Sequence, residues 1–209
     1  MTVLMQSPGM AVPAGATKLD EIAKACHEKI QAEEDKAIKN KQKKRSCQKL
    51  GQDKHACCEE KIKEHQDSGD DPQLEGEKSY RRPTFDSQTG QANTPVNTAT
   101  TGLDRNALIS QAISTTVTAA GAGGATRAAI SAAIGKALGG NIFPDAAVLG
   151  PGGEKTLVDF KFACPPSHRS KRRSAVAGYS PPGQSPAQSA AHTAIGQATG
   201  GGATITILH

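Results

Sequence analysis

Three ionisable residues in the C-terminal half have the types and spacing of a hydrolytic site. Asp145 closes the segment Ile142-Phe143-Pro144-Asp145, and Asp159 and Lys161 belong to Val158-Asp159-Phe160-Lys161. Between them, Gly150-Pro151-Gly152-Gly153 reads as a turn. A hairpin folded symmetrically about Gly152 sets Asp145 directly opposite Asp159. Cβ atoms of such a pair lie roughly 4.5–5.5 Å apart, where like charges repel. Opposed acids are therefore costly unless a cation lies between them. Lys161 shares the face of Asp159, because side chains alternate along a strand with period two. Two acids and a lysine on one sheet face suit metal-dependent hydrolysis. A hard divalent ion prefers oxygen ligands, and bound to a phosphodiester it lowers the pKa of a water. An edge hairpin with solvent-facing Asp and Lys is the plainer alternative.

Pro144-Asp145 and Asp159-Phe160-Lys161 resemble the two halves of the motif of the PD-(D/E)xK nuclease superfamily. The resemblance covers residues 104–209 loosely and about 20 residues by motif. It implies that Asp145, Asp159 and the carbonyl of Phe160 bind Mg2+ (or Mn2+), and that Lys161 orients the attacking water or offsets developing charge. It also implies a further acid on a preceding helix, for which Asp104 is the candidate. A Gln on a following helix, Gln188 or Gln184, would complete the set. DNA is the substrate that the superfamily favours.

Charge agrees with a polyanionic partner. The chain has 25 Lys+Arg against 20 Asp+Glu, a formal net charge of +5. Residues 83–209 hold nine basic side chains and five acids, two of which are Asp145 and Asp159. His168-Arg169-Ser170-Lys171-Arg172-Arg173 is a dense basic run, and Arg169, Lys171, Arg172 and Arg173 are the expected phosphate contacts. A solvated loop or a processing site is the other reading of that run.

The elements that must position these residues follow from composition. Residues 1–16 are small and apolar, with Pro8 and Pro13, and lack the charged start and continuous apolar run of a secretory signal. Lys18 to Gln66 is charged, free of Pro and helix-forming, with Ile22, Cys26, Ile30 and Ala37 at helical spacing. Gly51 is the expected break, with Lys54–Gln66 folding back as a second helix. Asp67 to Gly102 is rich in Asp, Gly, Gln, Thr and Pro and reads as a linker, apart from Tyr80-Arg81-Arg82-Pro83-Thr84-Phe85. Leu103–Ala120 and Ala125–Leu138 read as Ala-rich helices, Ser185–Gly196 as another, and Ala203–Leu208 as a closing strand. The expectation is an α+β fold: a small mixed-sheet nuclease core at 103–209, a linker at 67–102 and an N-terminal helical hairpin at 1–66.

Cys26, Cys47, Cys57 and Cys58 cluster in the helical segment, and Cys164 follows the lysine strand. With His27, His55 and His65 nearby a zinc site is conceivable, but no CxxC pair exists and adjacent Cys57-Cys58 rarely ligate one metal together, which argues against it. Disulfides joining the two helices, for instance Cys47 with Cys57 or Cys58, would suit an oxidising compartment, and buried thiols are the alternative. An odd count leaves at least one thiol free in a monomer.

The residues around Cys26, Cys47 and Cys57-Cys58, with Tyr80–Asp86, resemble the region that follows PAAR-like domains in bacterial type VI secretion effectors. That resemblance implies an antibacterial toxin secreted with the VgrG/PAAR spike and delivered into the cytoplasm of a target bacterium. A cognate immunity protein, acidic to match the basic toxin, would neutralise it. Gly121-Ala122-Gly123-Gly124 and Gly135-Lys136 do not complete a dinucleotide fingerprint or a phosphate loop. Residues 106–126 are uncharged but mostly Ala, Gly, Ser and Thr, too weakly apolar to insert alone. The alternatives to a DNase are a non-catalytic nucleic-acid-binding or secretion-adaptor protein and a membrane-active toxin.

Overall fold

The computed structural model describes residues 2–5, 14–69, 73–89, 91–94, 96, 103–165, 168, 186–201 and 204–209. Two helices come first, α1 (Ala14–Lys39) and α2 (Cys47–Ser68). Leu19, Ile22, Ala23, Cys26 and Ile30 form the buried stripe of α1, at the three- and four-residue spacing of an amphipathic helix. The break between the helices falls at residues 40–46 and not at the expected Gly51, which lies inside α2. Ser46 explains the difference. Its hydroxyl accepts from the Lys49 N–H and starts α2 as an N-cap. A glycine inside a packed helix costs only about 1 kcal/mol, too little to end it. A disulfide does join the two helices, but it is not Cys47 with Cys57 or Cys58. Ten residues along one helix separate Cys47 and Cys57 by about 15 Å, beyond disulfide reach. Instead Cys26 pairs with Cys57, with Cα atoms 5.7 Å apart, and Cys47 with Cys164, at 5.4 Å. Cys58 stays a buried thiol.

The fold is α+β, as composition and order predicted. Its mixed five-stranded sheet is built from β1 (Thr2–Met5), β2 (Leu74–Gly76), β5 (Ala146–Leu149), β6 (Lys155–Lys161) and β7 (Thr204–Leu208), in the order β1-β7-β6-β5-β2. β6 runs antiparallel to β5 and parallel to β7, and α5 (Pro186–Ala198) makes the crossover. A separate two-stranded ladder joins β3 (Tyr80–Arg81) to β4 (Asn141–Ile142). Residues 67–102, expected as a linker, thus contribute β2 to the main sheet and a buried Tyr80.

β6 is covered on both faces. Val158 and Phe160 join Leu19, Ile22, Leu50, Ile62, Ile205 and Ile207 in a core beneath α1 and α2. Leu157 faces the other way, with Ala147, Tyr80, Ile142 and Ile195. Residues from 1–66, 67–102 and 103–209 therefore share these cores. The remaining helices, α3 (Arg105–Ala120) and α4 (Arg127–Gly139), begin at the N-caps Asp104 and Thr126 and pack on each other. Leu108 is the buried residue of that pair. Asp104, the expected helix-borne acid, spends Oδ1 on the Ala107 N–H at 2.7 Å.

Candidate active site

The β5–β6 register is the one a fold symmetric about Gly152 requires: Ala146 pairs with Val158, and Leu149 with Lys155. One residue further, Asp145 comes opposite Asp159. Asp145 lies where the chain leaves β4, passes Phe143-Pro144 and enters β5. There its side chain stands in for a strand carbonyl, and Oδ2 accepts the Phe160 N–H at 2.6 Å. A buried main-chain donor is thereby satisfied. Asp159 is 2% exposed. Lys161 Nζ lies 2.5 Å from its Oδ2, a close ion pair.

The cation that opposed acids demand thus comes in part from the chain itself. Lys161 lies against Asp159, and His55 Nδ1 lies 3.1 Å from Asp145 Oδ1. Burial, then the charge of Asp145, lift the Asp159 carboxyl to about 6, with Lys161 pulling the other way. Burial also pushes Asp145 up. The hydrogen bond and charge of His55, with Asp159 and the Phe160 N–H, outweigh that and hold it below its ordinary value. His55 moves up for the matching reason: burial disfavours its cation, and Asp145 more than restores it. The pair of acids is therefore one anion and one carboxyl that gives up its proton near neutrality.

Two surrounding elements contribute residues that spacing did not flag. α2 presents His55, Cys58 and Glu59 within about one turn. With Glu77, Asp145 and Phe160 they line a cavity of about 30 Å3. Burial, then neighbouring carboxylates, raise both Glu59 and Glu77. Burial with Asp145 nearby pushes the Cys58 thiol up to about 12. On the other face, α5 buries His192 completely. Burial drives that imidazole down to about 4, so it is neutral at physiological pH, within the fields of Asp145 and Lys161. Gln188 lies one turn before His192 and is half-buried. In the sequence His55 stands out only as one of three histidines, with His27 and His65, near the cysteine cluster, because its segment reads as a separate helical hairpin.

The basic run divides. His168 turns inward, with Nε2 2.9 Å from Glu34 Oε1 and its side chain 1% exposed. Glu34 also takes the Arg45 Nε–H at 2.7 Å, and Arg45 reaches Asp53 at 2.9 Å. His168 is accordingly a structural partner and not a phosphate contact. Arg169, Lys171, Arg172 and Arg173, and the alternative Gln184, lie outside the described residues.

Among the described residues, no three His, Cys, Asp or Glu side chains form a group that could hold a metal ion. A divalent ion would rely on Asp145, Asp159 and main-chain oxygen. The donors fit such an ion in kind, being hard carboxylate oxygens, and Asp159 Oδ2 already carries a cation, the Lys161 ammonium. No helix among the described residues is long and apolar enough to cross a membrane. Comparison with protein-family models, curated proteins and solved structures finds no match for the chain.

Proposed function

We propose that this protein is a metal-dependent nuclease that hydrolyses phosphodiester bonds of DNA. The observation that carries the reading is the meeting of Asp145, Asp159 and Lys161 at one end of the β5–β6 hairpin, with the two acids opposed and the lysine 2.5 Å from one of them. Asp145, Asp159 and the Phe160 carbonyl would hold Mg2+ or Mn2+, which when bound supplies charge neutralisation and a more acidic water. Lys161 would hold a water or phosphate oxygen and offset the negative charge that develops on phosphorus-bound oxygens. The sheet and α2 wall the pair off from bulk water, which strengthens each charge interaction.

The toxin setting belongs to the same proposal. Resemblance to the region after PAAR-like domains supports delivery by type VI secretion, and two disulfides suit passage through an oxidising exterior. A net charge of +5 favours an acidic immunity protein. Purified protein incubated with supercoiled plasmid, with Mg2+ or Mn2+ and with EDTA, tests the reading. Nicking that needs metal and disappears in Asp159→Ala and Lys161→Ala is expected. Intact plasmid and intact RNA in both metals, with folded protein, would remove the nuclease assignment and leave a binding role.

A further inference from the structure

We infer that His55 is a positioning residue for the nuclease site: from α2 it fixes the Asp145 carboxylate in the orientation that faces Asp159. The inference rests on the nuclease reading and adds to it a residue outside the motif. Asp145 stands at a strand entrance after Pro144, where the ladder does not hold it on both sides. On the strand side the Phe160 N–H on Oδ2 at 2.6 Å and the Asp159 carboxyl hold it, which leaves Oδ1 some freedom. A second anchor on the other oxygen removes the freedom, and His55 Nδ1 supplies it at 3.1 Å from Oδ1. The imidazole is itself held. It packs edge-on against Phe162 at 5.2 Å between ring centroids and lies 6.5 Å from Phe160. Its helix is pinned by buried Leu50 and Ile62 and by the Cys26–Cys57 disulfide. The contact needs only an Nδ1–H, which the neutral tautomer and the cation both offer. An ion pair of purely structural worth would shift stability slightly at this exposure and leave turnover alone. A residue that orients a ligand carboxylate acts on metal affinity and turnover, typically by about 10- to 100-fold.

Full-length His55→Ala and His55→Asn proteins separate these roles. The amide Nδ2 of Asn occupies roughly the place of the imidazole Nδ1 and can donate the same bond. With plasmid as substrate, His55→Ala should raise the Mn2+ concentration for half-maximal cleavage and lower kcat about 10- to 100-fold, with KM for DNA near wild type. His55→Asn should recover most of both. Hydrogen exchange at the Phe160 amide, read without metal or substrate, should accelerate in His55→Ala and return towards wild type in His55→Asn. An active wild type whose His55→Ala variant keeps its Mn2+ midpoint, kcat and Phe160 exchange overturns the inference and leaves the nuclease reading standing. A wild type that cleaves nothing in either metal removes the nuclease reading, and the Phe160 exchange then still decides whether His55 holds Asp145.

Discussion

Replacing Asp159 with Asn should stabilise the fold while abolishing cleavage. Asp159 is buried against an ionised Asp145, and its carboxyl is lifted from 3.8 to about 6. At about 1.4 kcal/mol per pH unit, the ionised form carries a penalty of about 3 kcal/mol in the folded state relative to the unfolded chain. The sign follows from linkage. Below pH 3.8 the group is protonated in both states and the penalty is absent. Between 3.8 and 6 the unfolded chain releases its proton first, and wild-type stability falls. Above 6 the loss is complete. Asn has the same shape and no proton to lose, so the gain should be near zero around pH 4 and largest at pH 8. The attraction of Lys161 is already counted in the net shift. Lys161, 20% exposed, can turn to water in the variant. A gain of about 1–3 kcal/mol is expected, or roughly 3–10 °C in Tm for a chain of this size. Thermal melts at pH 4 and pH 8 read the gain, and plasmid cleavage on the same preparations reads the cost. An Asn variant that melts at or below wild type at pH 8 would refute the stored repulsion, and with it the geometric basis of the site. A protein that gains stability on losing an acid keeps that acid for another reason.

Other outcomes follow from named contacts. Chain entropy assigns about 3–4 kcal/mol to Cys26–Cys57, which closes 31 residues, and about 4–5 kcal/mol to Cys47–Cys164, which closes 117. Denaturant titrations of the paired Ser variants should therefore rank the second bond above the first. Cys58 should resist alkylation by iodoacetamide in the native state and react once unfolded, because burial raises its thiol to about 12. Burial opposes ionisation of Glu34, but hydrogen bonds from His168 and Arg45 bring it to about 2. Its contribution is present above pH 4.5 and lost as pH falls through 2, so Glu34→Gln should cost stability at pH 7 and flatten the acid limb of a pH-dependent melt. Gly201→Ala should destabilise by roughly 2 kcal/mol or more, since a Cβ there would overlap the Lys155 main-chain carbonyl across β6. Circular-dichroism melts read that loss.

What could be read ahead of the structure was whatever depends on short-range pattern. The symmetric Gly turn set the β5–β6 register, and alternation put Asp159 and Lys161 on one face. The Ala-rich helices α3 and α4 follow from local propensity and from the caps Asp104 and Thr126. What escaped depends on long-range packing. β1 is four residues in a segment of small apolar side chains, and its partner β7 begins about 200 residues later. β2 is three residues long and is a strand because β5 offers it an edge. His55 shows the same limit at the site itself. Reading residues 1–66 as an appendage puts their histidines and acids out of reach of the motif. The sheet instead buries Val158 and Phe160 against α1 and α2. Burying Phe160 on that face brings α2 over the strand that carries the candidate acid and lysine. Asp145, anchored to the Phe160 N–H, then meets whatever α2 presents there, and that residue is His55. The hydrophobic pairing that completes the core is therefore also what completes the polar cluster. It follows that deleting residues 1–66 should expose Phe160 and unfold the sheet, and should not release a smaller active nuclease.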